Sequence, residues 1–184
     1  MKKFWIILGV VVLVVLFSAV GSRNQFVGLE ESVDAQWANV ETVLQRRFDL
    51  IPNLVNTVKG FAAQEMEIFT EVTRLRSQWA SAGTTDEKVA AANQMQGAMG
   101  RLMLVAENYP QLKSNQNFLA LQDELAGAEN RISTERIRYN KSVQAYNTAI
   151  RRLPGALWAG LFGFEKRTAF EAAPQAAEVP QVQF

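Results

Sequence analysis

Residues 115–152 read NQNFLALQDELAGAENRISTERIRYNKSVQAYNTAIRR, and no other stretch says more about the fold. Phe118, Leu121, Leu125, Ala128, Ile132, Tyr139, Val143, Tyr146 and Ile150 recur at steps of three, four or seven. That spacing places them in one apolar stripe along a single amphipathic helix. At about 1.5 Å per residue such a helix is roughly 55–60 Å long. With one wet face and one apolar stripe, it needs partners that bury the stripe over its whole length, and other helices supply them most simply.

Upstream, three further stripes meet that need. Phe26, Leu29, Val33, Trp37, Val40 and Leu44 form the first; Leu54, Val58, Phe61, Ile68, Val72, Leu75 and Trp79 form the second. Val89, Met95, Met99, Leu102 and Ala106 form the third, which opens where Thr84 and Glu87 fit a capping box and closes at Tyr109-Pro110. SAGTTD at 81–86 is a loop by composition, and the fourth helix is expected to start near Ser114 or Asn115. Between the first two stripes lies RRFDLIPNLV, residues 46–55. Pro52 cannot donate an N–H and pushes Ile51 toward extended backbone, so the chain is expected to reverse there, with Asp49 or Asn53 capping the next helix. A kinked continuous helix is the alternative, because the stripe keeps its register across Pro52. No strand pattern appears.

The N-terminus is of a different kind. After Lys2 and Lys3, Phe4–Val20 (FWIILGVVVLVVLFSAV) carries no charge. With Gly21 and Ser22 it reaches roughly 28 Å, close to the ~30 Å hydrocarbon core of a bilayer. Trp5 stands where an interfacial aromatic belongs. The competing reading is a cleaved signal peptide ending near Ala19-Val20-Gly21, although the apolar run exceeds the usual h-region. Lys2 and Lys3 against Arg23 place the N-terminus in the cytoplasm and the body outside by the positive-inside rule. The expected fold is therefore all-α: an N-terminal transmembrane helix over 1–22, followed by an antiparallel up-and-down four-helix bundle over 23–170. EAAPQAAEVPQVQF, residues 171–184, is expected to be a tail without fixed structure.

Composition narrows the chemistry. The 184-residue chain has no cysteine and no histidine, and its net charge is +1. Disulfides, thiolate nucleophiles, imidazole bases and Cys- or His-based metal centres are thereby excluded, including the Glu-x-x-His sites of di-iron bundles. Nothing suggests a nucleic-acid binder, and no cofactor is expected. Carboxylates such as Glu65 or Glu129 remain for hydrolysis, but no pair of acids has a spacing that suggests shared catalysis.

RRFDLIPNLVNTVKGFAAQE, YPQLKSNQNFLALQDELAGAENRI, RIRYNKSVQAYNTAIRRLPG, GFEKRTAF and a closing PQVQF follow one another in order. This set of motifs resembles the LemA family of bacterial membrane proteins, from about Phe26 to Phe184. The resemblance implies an N-terminal anchor and a four-helix bundle, and no reaction. Gln64-Glu65 stands where members often have His-Glu, and Ala128-Glu129-Asn130 where they have Thr-Glu-Asn, which counts further against catalysis.

Three sets of residues are candidates for function. Arg46, Arg47, Asp49, Pro52 and Asn53, with Tyr109, Pro110 and Lys113, would share the membrane-distal end of an up-and-down bundle and offer a partner surface. Their plainer role is a solvated helix end with its capping residue. Glu129, Asn130 and Arg131, with the Tyr139-Asn140 and Tyr146-Asn147 pairs seven residues apart, would form a polar cluster between helices. Its plainer role is a core whose hydroxyls are bonded and whose asparagines fix register; its sharper role is a groove for a ligand or a partner helix. Leu157, Trp158, Leu161 and Phe162, together with Trp5, are candidates for membrane contact, against the simpler expectation that LPGALWAGLFGFEKR folds back to cap the bundle. The leading function is a membrane-tethered scaffold or adaptor of the bacterial envelope. It would be held in the lipid bilayer through residues 4–20 and bind an envelope protein or the membrane surface, with a homo-oligomer compatible. A sensor that binds a small ligand between its helices is the alternative.

Overall fold

A computed structural model describes residues 1–170 of the chain. Six helices occur among them: α1 (Lys2–Lys59), α2 (Met66–Ser81), α3 (Thr85–Glu107), α4 (Pro110–Lys113), α5 (Gln116–Arg151) and α6 (Gly155–Phe162). No strand occurs among the described residues. The protein is all-α with a long apolar N-terminal helix, as expected. The tail expected over 171–184 lies outside the described residues. Two units are distinguished, one of Trp37–Ile137 and one of Met1–Gln36 with the chain from Arg138 onward.

In the Trp37–Ile137 unit the expected reversal at Pro52 does not occur. α1 continues through Pro52 to Lys59, and the chain turns over Gly60–Glu65. Proline inside a helix costs about 3 kcal/mol. Here Phe48, Ile51, Leu54, Val55 and Val58 are all buried, and each contributes roughly 1.5–3 kcal/mol by leaving water. The stripe wins. At the true turn, the N–H groups of Phe61 and Ala62 donate to the Val58 carbonyl at 3.0 and 2.9 Å. Phe61, expected in the second stripe, is instead exposed in this turn.

α2 then packs back on α1 with Trp79 stacked on Phe48, ring centroids 4.6 Å apart. α3 opens on the expected capping box: Thr84 Oγ1 accepts from the Glu87 N–H, while Glu87 Oε2 accepts from Gly83 and Thr84. Those two backbone donors hold the Glu87 carboxyl below its ordinary pKa. After α3, Pro110 starts a single-turn helix, α4, that has no counterpart among the expected elements, and α5 begins at Gln116. Asn115 caps it, its Oδ1 accepting from the Phe118 N–H at 3.1 Å.

The other unit holds the start of α1, the end of α5, and α6. None of the most apolar stretch of α1 is buried. Beyond it, Phe26 and Val33 are buried on α1, as are Tyr139, Val143, Tyr146 and Ile150 on α5. α6 buries only its small residues, Gly155 and Ala159. A Cβ on Gly155 would stand 2.5 Å from the Ala149 carbonyl oxygen and 3.1 Å from the Phe26 ring. Gly155→Ala is therefore expected to cost about 1–3 kcal/mol, as over-packing does, and to lower the midpoint of thermal unfolding followed by circular dichroism. Gly160→Ala has open space around it and should leave that midpoint unchanged or slightly raised.

Candidate functional site

The Tyr-Asn pairs of α5 act together, and what they hold is the chain itself. After α6, Gly163 takes φ +74° and releases the backbone into a non-helical segment, residues 164–170. Asn147 donates from Nδ2 to the Arg167 carbonyl at 2.9 Å and accepts at Oδ1 from the Arg167 N–H at 3.0 Å. One heptad earlier, Asn140 makes the same two bonds with Phe170, at 3.0 and 2.9 Å. Each amide thus behaves toward the segment as a neighbouring β-strand residue would. The hydroxyls follow the same rule: Tyr146 donates to the Glu165 carbonyl at 2.9 Å and Tyr139 to that of Thr168 at 3.0 Å.

The spacing has a simple origin. Seven helical residues advance about 10.5 Å and three extended residues about 10 Å, so one heptad on α5 matches three residues of the segment running antiparallel to it. Both tyrosines are fully buried, and burial pushes the Tyr146 hydroxyl pKa up, with Glu30 adding to the rise. The side chain of Arg167 meets Glu30 at 2.8 Å and Asp34 at 3.6 Å. Burial alone would lower its pKa, but the bond to Glu30 and the charge of Asp34 leave it raised. The asparagines therefore secure an extended segment rather than helix register, and the polar groove considered for a ligand is filled by residues 165–170.

Glu129, Asn130 and Arg131 belong to the Trp37–Ile137 unit. Asn130 and Arg131 are exposed. Glu129 meets Arg47 at 2.8 Å, and Gln96 links Glu129 to Arg136. Arg47 is only 6% exposed, so the expectation that it faces solvent at a helix end, or forms a partner surface, is corrected. It lies inside α1 and on the apolar stripe, with Leu44 three residues before and Ile51 four after. Burial lowers the pKa of Arg47 against the opposing charge of Glu129. Arg136 is lowered in the same way, with Arg47 adding repulsion.

Of the remaining partner-surface candidates, Arg46, Asp49, Asn53, Pro110 and Lys113 are exposed, and Pro52 and Tyr109 are half-buried. Asp49 accepts from Gln45 at 2.8 Å. The turn that meets the α3–α5 connection is Gly60–Glu65 rather than residues 46–55. There the Tyr109 hydroxyl accepts from Gln64 Nε2 at 2.7 Å and donates to Glu65 at 3.4 Å. No group of three or more acidic side chains that would hold a metal occurs among the described residues. The candidates for membrane contact keep their apolar faces outward: Trp5, Leu157, Leu161 and Phe162 are exposed, and Trp158 is half-buried.

Residues 36–184 match the model of the LemA family. The chain belongs to the LemA family. This LemA-family chain is 30% identical over 177 residues to the magnetosome proteins MamQ 1 and MamQ 2 of Paramagnetospirillum magneticum, covering 82% of its own length and 65% of theirs. It therefore spans just under two thirds of those relatives. It is also 22% identical over 152 residues to Protein LemA of Metamycoplasma hominis, covering 81% of this chain and 69% of that protein. Family and apolar helix together make it a membrane-associated helical protein.

Substitutions at Asn147 and Arg47 test the two clusters. Asn147→Ala removes both bonds to Arg167 and should speed tryptic cleavage after Arg167 severalfold; Asn147→Asp should not restore protection, because a carboxylate cannot donate to the Arg167 carbonyl. Arg47→Met leaves Glu129, whose side chain is 38% exposed, without its partner and should cost about 1–3 kcal/mol in denaturant unfolding. Combined with Glu129→Gln, it should show a coupling of about 0.5–3 kcal/mol in a double-mutant cycle.

Proposed function

We propose that the protein is a single-pass, membrane-tethered scaffold or adaptor of the bacterial envelope, with no catalytic turnover of its own. The observation that carries this reading is α1. A single helix holds an unburied stretch long and apolar enough to cross a bilayer, and then the stripe that builds a helical core. Continuity of α1 through Gly21, and the hydrogen bond from Trp158 to Ser18 at 3.2 Å, favour a retained anchor over a cleaved signal. Lys2 and Lys3 against Arg23 favour an N-terminus in the cytoplasm of a cell-membrane protein. The cations of α5 lie far downstream and do not enter that count, since long domains translocate largely regardless of charge.

The chemistry on offer is that of binding. Glu129 is committed to Arg47, and Glu65 lies beside the Tyr109 hydroxyl. The Tyr-Asn cluster, the best seat for a small ligand, is taken by residues 165–170, which weighs against the sensor alternative. Kinship with proteins named for the magnetosome supports a membrane-associated role.

With Arg47 buried, the exposed side chains near the turns are the places to look for a partner. A photoreactive residue at Ala63 or Lys113, both exposed, activated in intact cells, is expected to trap one discrete envelope protein, identified by mass spectrometry. Trapping of nothing but lipid or solvent products at both positions would overturn the adaptor reading.

A further inference from the structure

We propose that α6 is a second membrane contact, seated in the headgroup layer of the leaflet through which α1 leaves the bilayer and held there by anionic phospholipid. This rests on α1 being the anchor.

The placement comes from three contacts within one unit. Gly155, at the start of α6, abuts the Phe26 ring; Trp158 bonds to Ser18; Phe164, just past α6, meets Phe26 with ring centroids 5.2 Å apart. Phe26 to Ser18 is about 12 Å along α1. From Gly155 to Trp158 the helix advances only about 4.5 Å, so the Trp158 indole spans the rest of the distance to Ser18, while Gly155 and Phe164 both stay beside Phe26. Ser18 belongs to the apolar Phe4–Val20 stretch, so α6, through Trp158, reaches the level where that stretch ends.

Its surface suits that position. Gly155 and Ala159 face the protein, while Leu157 and Leu161, one turn apart, are 68% and 71% exposed. Leu153, just before α6, is 77% exposed. An all-apolar helix with its leucines outward is poorly placed in water, and here it is continuous with the lipid-facing side of α1. Its polar groups are satisfied from within. The Trp158 indole N–H has the Ser18 hydroxyl, and the Ala156 and Leu157 N–H groups donate to the Arg152 and Pro154 carbonyls. At the other end, the Phe164 N–H closes on the Ala159 carbonyl at 3.0 Å. A segment leaving water for lipid needs this closure, because each unmet group there costs several kcal/mol.

Charge supplies the lipid class. Arg151, Arg152 and Lys166 flank α6 and are exposed, as is Arg23 on α1; against these four cations stand Glu165 and the one charge by which Glu30 and Asp34 outweigh Arg167. Beside α6 a groove of ≈ 620 Å³ opens between α1 and α5, with Ser18, Gly21 and Ser22 on one wall and Thr148 and Arg152 on the other. Hydroxyls and a guanidinium at this level match a lipid phosphate.

The chain has no cysteine, so single labels report single sites. Leu13→Cys, Leu161→Cys and Gln122→Cys would each be spin-labelled in the full chain and reconstituted into vesicles of phosphatidylcholine and phosphatidylglycerol. Accessibility to oxygen and to a water-soluble nickel complex is then compared. The Leu13 and Leu161 labels are expected to favour oxygen, and the Gln122 label nickel. Adding R151Q/R152Q/K166Q should raise nickel access at Leu161 severalfold and leave Leu13 unchanged. A lipid-facing Leu13 with an aqueous Leu161 would overturn the proposal for α6 alone. An aqueous Leu13 would overturn the anchor and this proposal together. A lipid-facing Leu161 indifferent to the triple substitution would overturn the assignment to anionic phospholipid.

Discussion

One side chain after another along α1 must face an apolar environment, and the environment changes while the helix does not. From Phe4 to Phe17 the whole circumference is apolar and exposed. From Phe26 a single stripe is buried, through Val33, Val40, Leu44, Ile51, Leu54 and Val58. Keeping that stripe in register is the constraint on which the rest depends. It carries the chain through Pro52 against a penalty of about 3 kcal/mol and moves the first reversal to Gly60. It also places Arg47 in the core, where Glu129 on α5 must answer its charge.

The ion pair around Glu129 is a cost as much as a bond. Two guanidiniums, Arg47 and Arg136, share its neighbourhood, and burial weakens the hold of both on their protons. Such an arrangement adds little net stability over an apolar core, yet a misaligned helix would leave a buried charge unanswered. We read it as the element of the bundle that penalises a slipped register.

Much of this was legible from residue spacing. The stripes gave four main helices, the Thr84–Glu87 pair gave the start of α3, and Phe4–Val20 gave the apolar segment. Pro52 points to a reversal by local backbone preference, and the stripe running unbroken across it overrides that preference. Arg47 was legible in principle: it sits between Leu44 and Ile51 at helical spacing, so a cation on the apolar seam should have announced a buried partner. The Tyr-Asn heptad stands out in the sequence, but its occupant does not. Residues 164–170 have no periodicity of their own, and only the match between seven helical and three extended residues connects them to α5. The one-turn α4 is too short to leave a pattern.

That match between helix and extended segment has a corollary of its own. Asn140 and Asn147 bind backbone, and Glu165, Lys166, Thr168 and Ala169 turn their side chains outward. Substitutions at those four positions leave the clamp's hydrogen bonds intact, so the clamp does not hold the segment to its composition there. It does hold the segment to its length. One residue inserted between Arg167 and Phe170 would carry the second amide pair out of step by about 3.3 Å, more than a hydrogen bond tolerates. The clamp therefore requires a distance, and any demand on the letters at those four positions must come from elsewhere.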